Sequence, residues 1–168
     1  MKNIEIEQKF KIAKPALIRK ALQRLGATRM GSGREDNEFY DQRGRLRRKR
    51  TTLRLRKYRG QGQLTFKGPR RTGLGKLSKR LEVESSVDFV QTRQLLNLIG
   101  FKKWLSYSKT RETWKLAGAE VVIDHFSRFG WFVEIEASPA HIRQLAKSLK
   151  LLPEQAVAES YLAMQLRA

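Results

Sequence analysis

The sequence predicts an α+β protein in which antiparallel strands form a closed β-barrel and helices pack on its outside. Seven segments alternate apolar and polar residues, which is the period of a strand with one apolar face. Three other segments carry apolar residues at helical spacing. The polar faces of the strands carry charges rather than neutral groups, and charges that face a closed interior have to be balanced there. A chain of 168 residues is expected to form one domain, residues 1–168.

The predicted strands share one pattern, in which apolar side chains occupy every second position and charged side chains lie between them. They cover residues 4–12, 52–58, 63–68, 79–85, 106–114, 120–126 and 131–137. Successive side chains of a strand point to opposite faces of the sheet. In the first strand Glu5, Glu7 and Lys9 therefore lie on the face opposite to Ile4 and Ile6. Two carboxylates and an amine are neighbours there.

The predicted helices have signals at their ends as well as an apolar stripe. They cover residues 15–27, 89–100 and 138–149. Gly26 and Gly100 end the first two, because glycine readily takes the left-handed conformation that follows a helix. Ser138 is a favourable N-cap for the third helix, and Pro139 suits its first position. Each helix thus has one apolar side that can cover a sheet.

Composition restricts both the partner and the metal chemistry. Thirty-six Lys and Arg residues stand against sixteen Asp and Glu residues, and the formal net charge of +20 predicts a polyanionic partner. The chain has no cysteine and two histidines, so oxygen ligands remain, which Mg²⁺, Mn²⁺ and Ca²⁺ prefer. The N-terminus is charged, and no stretch has the length and apolarity of a membrane span. We therefore expect a soluble, cytoplasmic protein without membrane association.

Both signs of charge recur on the polar faces of the predicted strands. Like charges in neighbouring positions lower stability unless opposite charges or a ligand compensate them. If these faces line one lumen, it holds as many cations as anions and is nearly neutral when empty. The cations are Lys9, Arg54, Arg56, Lys67, Arg80, Lys109 and Arg111, and the anions are Glu5, Glu7, Glu82, Glu84, Asp124, Glu134 and Glu136. The alternative interpretation is a set of half-exposed strands whose charged faces are solvated.

The order of these motifs resembles that of the CYTH domain, the family of triphosphate tunnel metalloenzymes. The N-terminal Glu5-x-Glu7-x-Lys9 is similar to the ExExK signature of that family. The resemblance continues in the family's order over nearly the whole chain, through residues 40–41, 53–56, 64–69, 80–84, 109–111, 124 and 132–136. Residues 159–162 look like the family's closing helix. The resemblance implies an eight-stranded antiparallel barrel whose interior holds a ligand.

The resemblance also implies a role for each charged position. Triphosphate oxygens would be bound by Lys9, Arg54, Arg56, Lys67, Arg80, Lys109 and Arg111. One Mg²⁺ or Mn²⁺ ion would be bound by Glu5, Glu7, Glu134 and Glu136, and Glu82, Glu84 and Asp124 would lie near a second. Tyr40 corresponds to a tyrosine that some hydrolases of the family place beside the signature lysine. Tyr40 would assist Lys9 in proton transfer, and the alternative is a tyrosine packed for structural reasons.

Three functions are compatible with these residues. The first is a metal-dependent hydrolase of inorganic tripolyphosphate or of an organic triphosphate such as thiamine triphosphate, which needs no Ser or Cys nucleophile. The second is a class IV adenylyl cyclase, in which the ribose 3′-hydroxyl of ATP attacks the α-phosphate and pyrophosphate leaves. The third is a non-catalytic binder of polyphosphate or RNA, to which seven carboxylates would bring no benefit. Of these three functions, we favour the hydrolase.

Residues 43–50 form a basic run that departs from the family, in which this stretch is less basic. Six of these eight residues are Arg or Lys. The run is either a solvated hairpin or a cationic surface that contacts RNA or another polyanion. The sequence leaves the oligomeric state open, with a homodimer as one option.

Overall fold

The computed structural model of the chain describes residues 4–73 and 76–167. The strands are β1 (Ile4–Ile12), β2 (Thr28–Asp41), β3 (Thr52–Tyr58), β4 (Gln61–Lys67), β5 (Arg71–Thr72), β6 (Ser78–Val87), β7 (Lys102–Leu116), β8 (Ala119–Phe126), β9 (Gly130–Glu136) and β10 (Ala156–Val157). The helices are α1 (Pro15–Arg24), α2 (Arg45–Arg48), α3 (Phe89–Leu98), α4 (Pro139–Ser148) and α5 (Tyr161–Leu166), with a 3₁₀ turn at Pro153–Gln155. No helix in these two ranges has the length and apolarity needed to cross a bilayer.

Eight of the strands form a closed antiparallel barrel. They follow one another in the order β1-β9-β8-β7-β2-β3-β4-β6, and β1 also pairs with β6. The two-residue strands β5 and β10 extend the sheet beside β6 and β1. A closed sheet has no free edge and gives every strand one inner and one outer face. The predicted eight-stranded barrel is confirmed.

Strand β2 is the one long strand that the sequence pattern does not predict. It contains Gly31 and Gly33 together with several acidic residues, and all of these types are depleted in strands. Its extended conformation comes from antiparallel pairing with β3, which matches Glu35 through Tyr40 with Tyr58 through Leu53. Pairing with a neighbour therefore outweighs the low intrinsic strand propensity of this segment.

The ends of the helices follow the predicted signals. Gly26 and Gly100, just after α1 and α3, have φ angles of 79° and 90°, which lie in the left-handed region. The Ser138 hydroxyl caps α4 by accepting a hydrogen bond from the His141 amide. Ser160 caps α5 in the same way through the Ala163 amide. The expected closing helix is therefore present.

The chain divides into two compact units, the first made mainly of residues 33–71 and 80–109 and the second mainly of residues 5–32 and of residues from 110 onward. The one-domain assignment stays a prediction. In the second unit, α1 and α4 bury Leu22 and Ile142 in one apolar cluster with residues of β8 and β9 such as Ile123. Apolar side chains thus occupy the outer face of these strands. Their inner face carries the polar and charged residues.

In the first unit, a smaller apolar cluster lies between α3 and the sheet. Leu55 of β3 and Leu96 of α3 are buried in it, and Phe89 packs against them. Gly62 of β4 allows this close approach, because a Cβ atom added there would lie 2.4 Å from the Val87 carbonyl oxygen. The next nearest atoms are the Phe89 backbone nitrogen and Cα, at 2.9 and 3.1 Å. These backbone atoms cannot move aside easily, since Gly62 is paired with Val87 in the sheet.

We therefore expect Gly62→Ala to lower the free energy of unfolding by at least about 2 kcal/mol, because the new methyl group meets backbone atoms. Urea denaturation measures the change. Gly73→Ala is the matched control, since a Cβ atom there meets no atom of the described residues within 4 Å, and it should change stability by less than about 1 kcal/mol. Equal effects of the two substitutions would contradict the packing argument.

Candidate functional site

In the first unit, the strand register collects predicted site residues on one face of β3, β4 and β6. Residues directly opposite each other in paired strands point to the same face. Arg54 lies opposite Thr65, which lies opposite Glu84, and Lys67 lies opposite Glu82. We call this set, with its neighbours, the Arg56 cluster. It consists of Glu35, Asn37, Arg54, Arg56, Gln63, Thr65, Lys67, Glu82, Glu84 and Lys109.

Two carboxylates of the Arg56 cluster are paired with cations. Glu84 accepts a hydrogen bond from the Thr65 hydroxyl at 2.9 Å, and its Oε1 lies 3.6 Å from Arg54 Nη2. Burial raises the pKa of Glu84, but the hydrogen bond with Glu82 and the charge of Arg54 outweigh it, so the pKa lies below its usual value. Lys67 Nζ lies 2.9 Å from Glu82 Oε2. Both carboxylates thus hold predicted phosphate-binding side chains in place.

Glu35 is a site residue that the sequence reasoning missed. Its side chain is 0% exposed, and Lys109 Nζ and Arg56 Nη1 lie 3.3 and 3.5 Å from its two oxygens. The Asn37 amide donates a third contact to Glu35 Oε1 at 3.0 Å. The available signal was the alternation of Glu35, Asn37 and Phe39, but it lies in the strand that the pattern did not predict. Glu35 therefore orients two cations of the candidate site, Arg56 and Lys109.

In the second unit, a further set of charged side chains includes Lys9. Arg111 donates two parallel hydrogen bonds to Asp124, at 2.8 and 2.7 Å, and a third to Glu134 at 3.0 Å. Lys9 Nζ lies 3.5 Å from Glu134 and donates to the Glu159 carbonyl at 2.9 Å. The Asp124 side chain is 0% exposed, and the two parallel hydrogen bonds from the Arg111 guanidinium compensate its buried negative charge. We call this set the Lys9 cluster, which consists of Glu5, Glu7, Lys9, Arg111, Asp124, Glu134, Glu136 and Tyr161.

The remaining predicted metal ligands lie on the same face of β1 and β9. Glu7 is opposite Glu136, which is also opposite Glu120 of β8, and Glu5 is buried. Carboxylate oxygens are the donors that Mg²⁺ and Mn²⁺ prefer, so the residue types fit. Within residues 4–73 and 76–167, no three Asp, Glu, His or Cys side chains lie close enough together to hold a metal ion. Several of the carboxylates are turned to cations instead.

Arg80 completes the predicted set. It is half-buried on β6 and lies on the same face as Glu82, two positions away along the strand. The positions predicted to bind phosphate are thus divided between the two units. Lys9 and Arg111 belong to the second unit, and the others belong to the first.

Tyr161 is a second residue that the sequence reasoning missed. Lys9 Nζ lies 3.6 Å from the centre of its ring, which is a cation–π contact. Burial raises the pKa of the Tyr161 hydroxyl well above its usual value, and the charges of Asp124 and Glu134 raise it further. The phenol is therefore protonated and can donate a hydrogen bond. The resemblance pointed to the segment that carries it but assigned no role to this side chain.

The catalytic assignment of Tyr40 has to be corrected. Tyr40 lies opposite Leu53, so the adjoining Arg54 points to the other face of the sheet. Its ring is buried with Leu96 under α3, and its hydroxyl donates to Glu38 at 2.7 Å. Burial and the neighbouring Glu38 raise the pKa of Tyr40 above its usual value. Tyr40 is the packed structural tyrosine of the alternative interpretation.

Comparison with protein families identifies the family of this chain. The model of the CYTH domain family matches residues 3–161, and the chain belongs to this family. A Methanocaldococcus jannaschii protein named a candidate adenylate cyclase is 27% identical over an alignment of 173 residues, gaps included, and the alignment covers 96% of this chain and 98% of that protein.

Solved structures share the fold at low sequence identity. A candidate adenylate cyclase from Vibrio parahaemolyticus has a TM-score of 0.86 and 18% identity, and the match covers 100% of both chains. A candidate adenylyl cyclase from Hippeastrum, described as having a dominant triphosphatase activity, has a TM-score of 0.73 and 16% identity, with 97% of this chain and 95% of that chain covered. These two likenesses show the fold alone.

The pairing of Glu35 with Lys109 and Arg56 leads to a stability prediction. Glu35→Gln removes the charge but keeps the shape, and it takes away a negative charge 3.3 Å from the buried Lys109 ammonium. We expect a loss of about 3 kcal/mol in the free energy of unfolding, measured by urea denaturation. Asp36→Asn is the control, because its side chain is 41% exposed in an ion pair with Arg34, and it should cost less than about 1 kcal/mol. A loss for Glu35→Gln no larger than that of the control would refute the pairing.

Proposed function

We propose that this chain is a divalent-metal-dependent hydrolase of triphosphates, acting on inorganic tripolyphosphate or on an organic triphosphate such as thiamine triphosphate. The supporting observation is the burial of Lys9, Lys67, Lys109 and Arg111, which are 3%, 8%, 4% and 9% exposed. Buried ion pairs contribute little to stability compared with apolar residues of similar size. So many buried cations in a barrel are therefore better explained by an anionic ligand.

The cations would bind the phosphate chain by exchanging partners. Asp124 and Glu35 hold Arg111, Arg56 and Lys109 in position before a substrate arrives, so little ordering is left to the binding step. Guanidinium groups can bind two phosphate oxygens at once, as Arg111 binds Asp124. Hydrolysis of a phosphoanhydride depends mainly on such positioning and on neutralisation of charge.

The carboxylates are proposed to bind Mg²⁺ or Mn²⁺, with Glu5, Glu7, Glu134 and Glu136 around one ion and Glu82, Glu84 and Asp124 near a second. When bound, the ions would neutralise phosphate charge and lower the pKa of the attacking water. Glu134 would have to turn away from Lys9 and Arg111 to do so. Lys9 is the proposed catalytic side chain, and its ammonium would then be available to a phosphate oxygen.

A class IV adenylyl cyclase is the second candidate, favoured by the name of the Methanocaldococcus jannaschii relative. It requires the same cations and the same metal ions as the hydrolase. The two reactions differ in the phosphate that is attacked and in the attacking group. Membership of the family does not decide between them.

Product analysis separates these functions. Purified protein is incubated with Mg²⁺ or Mn²⁺ and with tripolyphosphate, thiamine triphosphate or ATP, and orthophosphate, pyrophosphate and cyclic AMP are resolved. We expect orthophosphate from tripolyphosphate or thiamine triphosphate, and none when a chelator is present. Cyclic AMP with pyrophosphate from ATP would establish the cyclase instead. The absence of any product would contradict both and favour a non-catalytic binder.

The proposed metal ligands predict a selective loss of turnover. Glu136→Gln should lower kcat by at least about 100-fold, because it removes a carboxylate ligand from the proposed metal site, and the ion held there would neutralise the charge of the reacting phosphates. Thermal unfolding should be unchanged, since Glu136 is exposed. Glu154→Gln is the control, because Glu154 is also exposed but lies in the 3₁₀ turn. Full activity of Glu136→Gln would remove this residue from the proposed metal site.

A further inference from the structure

Residues 43–50, which we call the basic turn, present an exposed concentration of positive charge that the proposed hydrolase does not use. The four-residue helix α2 lies at the centre of the basic turn. All six basic side chains of the basic turn are exposed, namely Arg43, Arg45, Arg47, Arg48, Lys49 and Arg50. Like charges this close together repel one another, so the arrangement costs stability unless an anion compensates it.

The backbone of the basic turn is held in one conformation by buried groups beneath it. The Asp41 carboxylate accepts hydrogen bonds from the amides of Leu46 and Arg47 at 3.1 and 3.2 Å. Burial raises the pKa of Asp41, but these amide hydrogen bonds outweigh it and the pKa lies below its usual value. The Thr51 amide and hydroxyl both donate to the Leu46 carbonyl, at 3.0 and 3.1 Å. The cations are therefore presented on a fixed frame.

The Arg47 side chain is held against the residues beneath the basic turn, whereas the other basic side chains of the turn point away from them. Arg47 donates to Asp41 at 3.0 Å, and its guanidinium carbon lies 4.6 Å from the centre of the Trp104 ring. Arg48 donates to the Arg43 carbonyl oxygen at 3.0 Å. As far as the structure describes the chain, no carboxylate pairs with Arg43, Arg45, Arg48, Lys49 or Arg50. Five exposed cations thus have no anionic partner among the described residues.

The composition of the basic turn identifies the chemistry of its ligand. Five of the six cations are arginines, whose planar guanidinium groups match phosphate oxygens. Residues 43–50 contain no aromatic residue, and Arg47 covers Trp104. Proteins that bind single strands use exposed aromatic rings on which the unpaired bases stack. A double helix can be bound through its phosphates alone, without aromatic rings. The surface therefore suits the backbone of a double helix better than unpaired bases.

We propose that the basic turn binds double-stranded nucleic acid through its phosphate backbone, independently of base sequence. Several cations on one rigid turn can contact successive phosphates together, which releases the counterions of the duplex. This interaction does not depend on the proposed hydrolase activity, because none of the exposed residues of the basic turn belongs to either charged cluster.

Fluorescence anisotropy with a labelled RNA duplex of about 20 base pairs, titrated at several salt concentrations, tests the proposal. Replacing Arg45, Arg48 and Lys49 together by Gln should weaken binding at least about tenfold, and the slope of log K against log salt should fall by about 2 to 3. The control replaces Lys14, Lys20 and Arg24 by Gln, three exposed cations at the start of α1 and within it. It removes the same net charge and should change binding by less than about twofold.

Three results would overturn the proposal: no duplex binding by the wild-type chain, equal weakening by both triple substitutions, or binding of single-stranded RNA in preference to the duplex. Equal weakening would mean that the overall charge of +20 binds the duplex without a defined surface. If the first triple variant unfolds at a lower temperature than the control, Arg45→Gln and Lys49→Gln are measured singly. Each should then weaken binding about twofold or more, and binding equal to wild type in both would refute the proposal.

Discussion

The structure depends on the pairing of buried carboxylates with buried cations on the inner face of its strands. Glu35 and Asp124 have side chains that are fully enclosed, and an isolated charge in such a position would cost several kcal/mol. Each has cationic partners within hydrogen-bonding or ion-pairing distance. The pairs arise because alternation puts charges of both signs on one face of each strand and the register sets opposite signs side by side. The barrel can therefore fold before any ligand is bound.

The same pairs prepare the chain for an anionic ligand. A cation held by a carboxylate is already desolvated and oriented, so a phosphate group that replaces the carboxylate meets a rigid donor rather than a mobile side chain. The donors project from strands, whose positions are fixed by the ladder of backbone hydrogen bonds, rather than from loops. Lys9 illustrates the arrangement, since Glu134, the Glu159 carbonyl and the Tyr161 ring surround its ammonium group.

The apolar residues of the strands pack against helices on the outer face of the barrel. Helices α1 and α4 cover β8 and β9, and α3 covers β3, so each strand places one face in an apolar cluster and the other among charges. Tyr40 shows that the role of a strand residue depends on which of the two faces its side chain occupies. Its position in the order of motifs suggested a catalytic role, but one step along a strand moves a side chain to the opposite face.

Residue types and their spacing were enough to predict the alternating strands, the signs of the charges on their faces and the helix ends at Gly26 and Gly100, and the order of the motifs was enough to predict the family. The strands, the charge signs and the helix ends are local properties, because they follow from residue type and spacing within short segments. The folded chain was needed to show that residues 28–41 form a strand, that Glu35 contacts both Arg56 and Lys109, and that the Tyr161 ring contacts Lys9. Such contacts join residues up to about 150 positions apart. They depend on strand pairing and burial, which no local pattern of residues encodes.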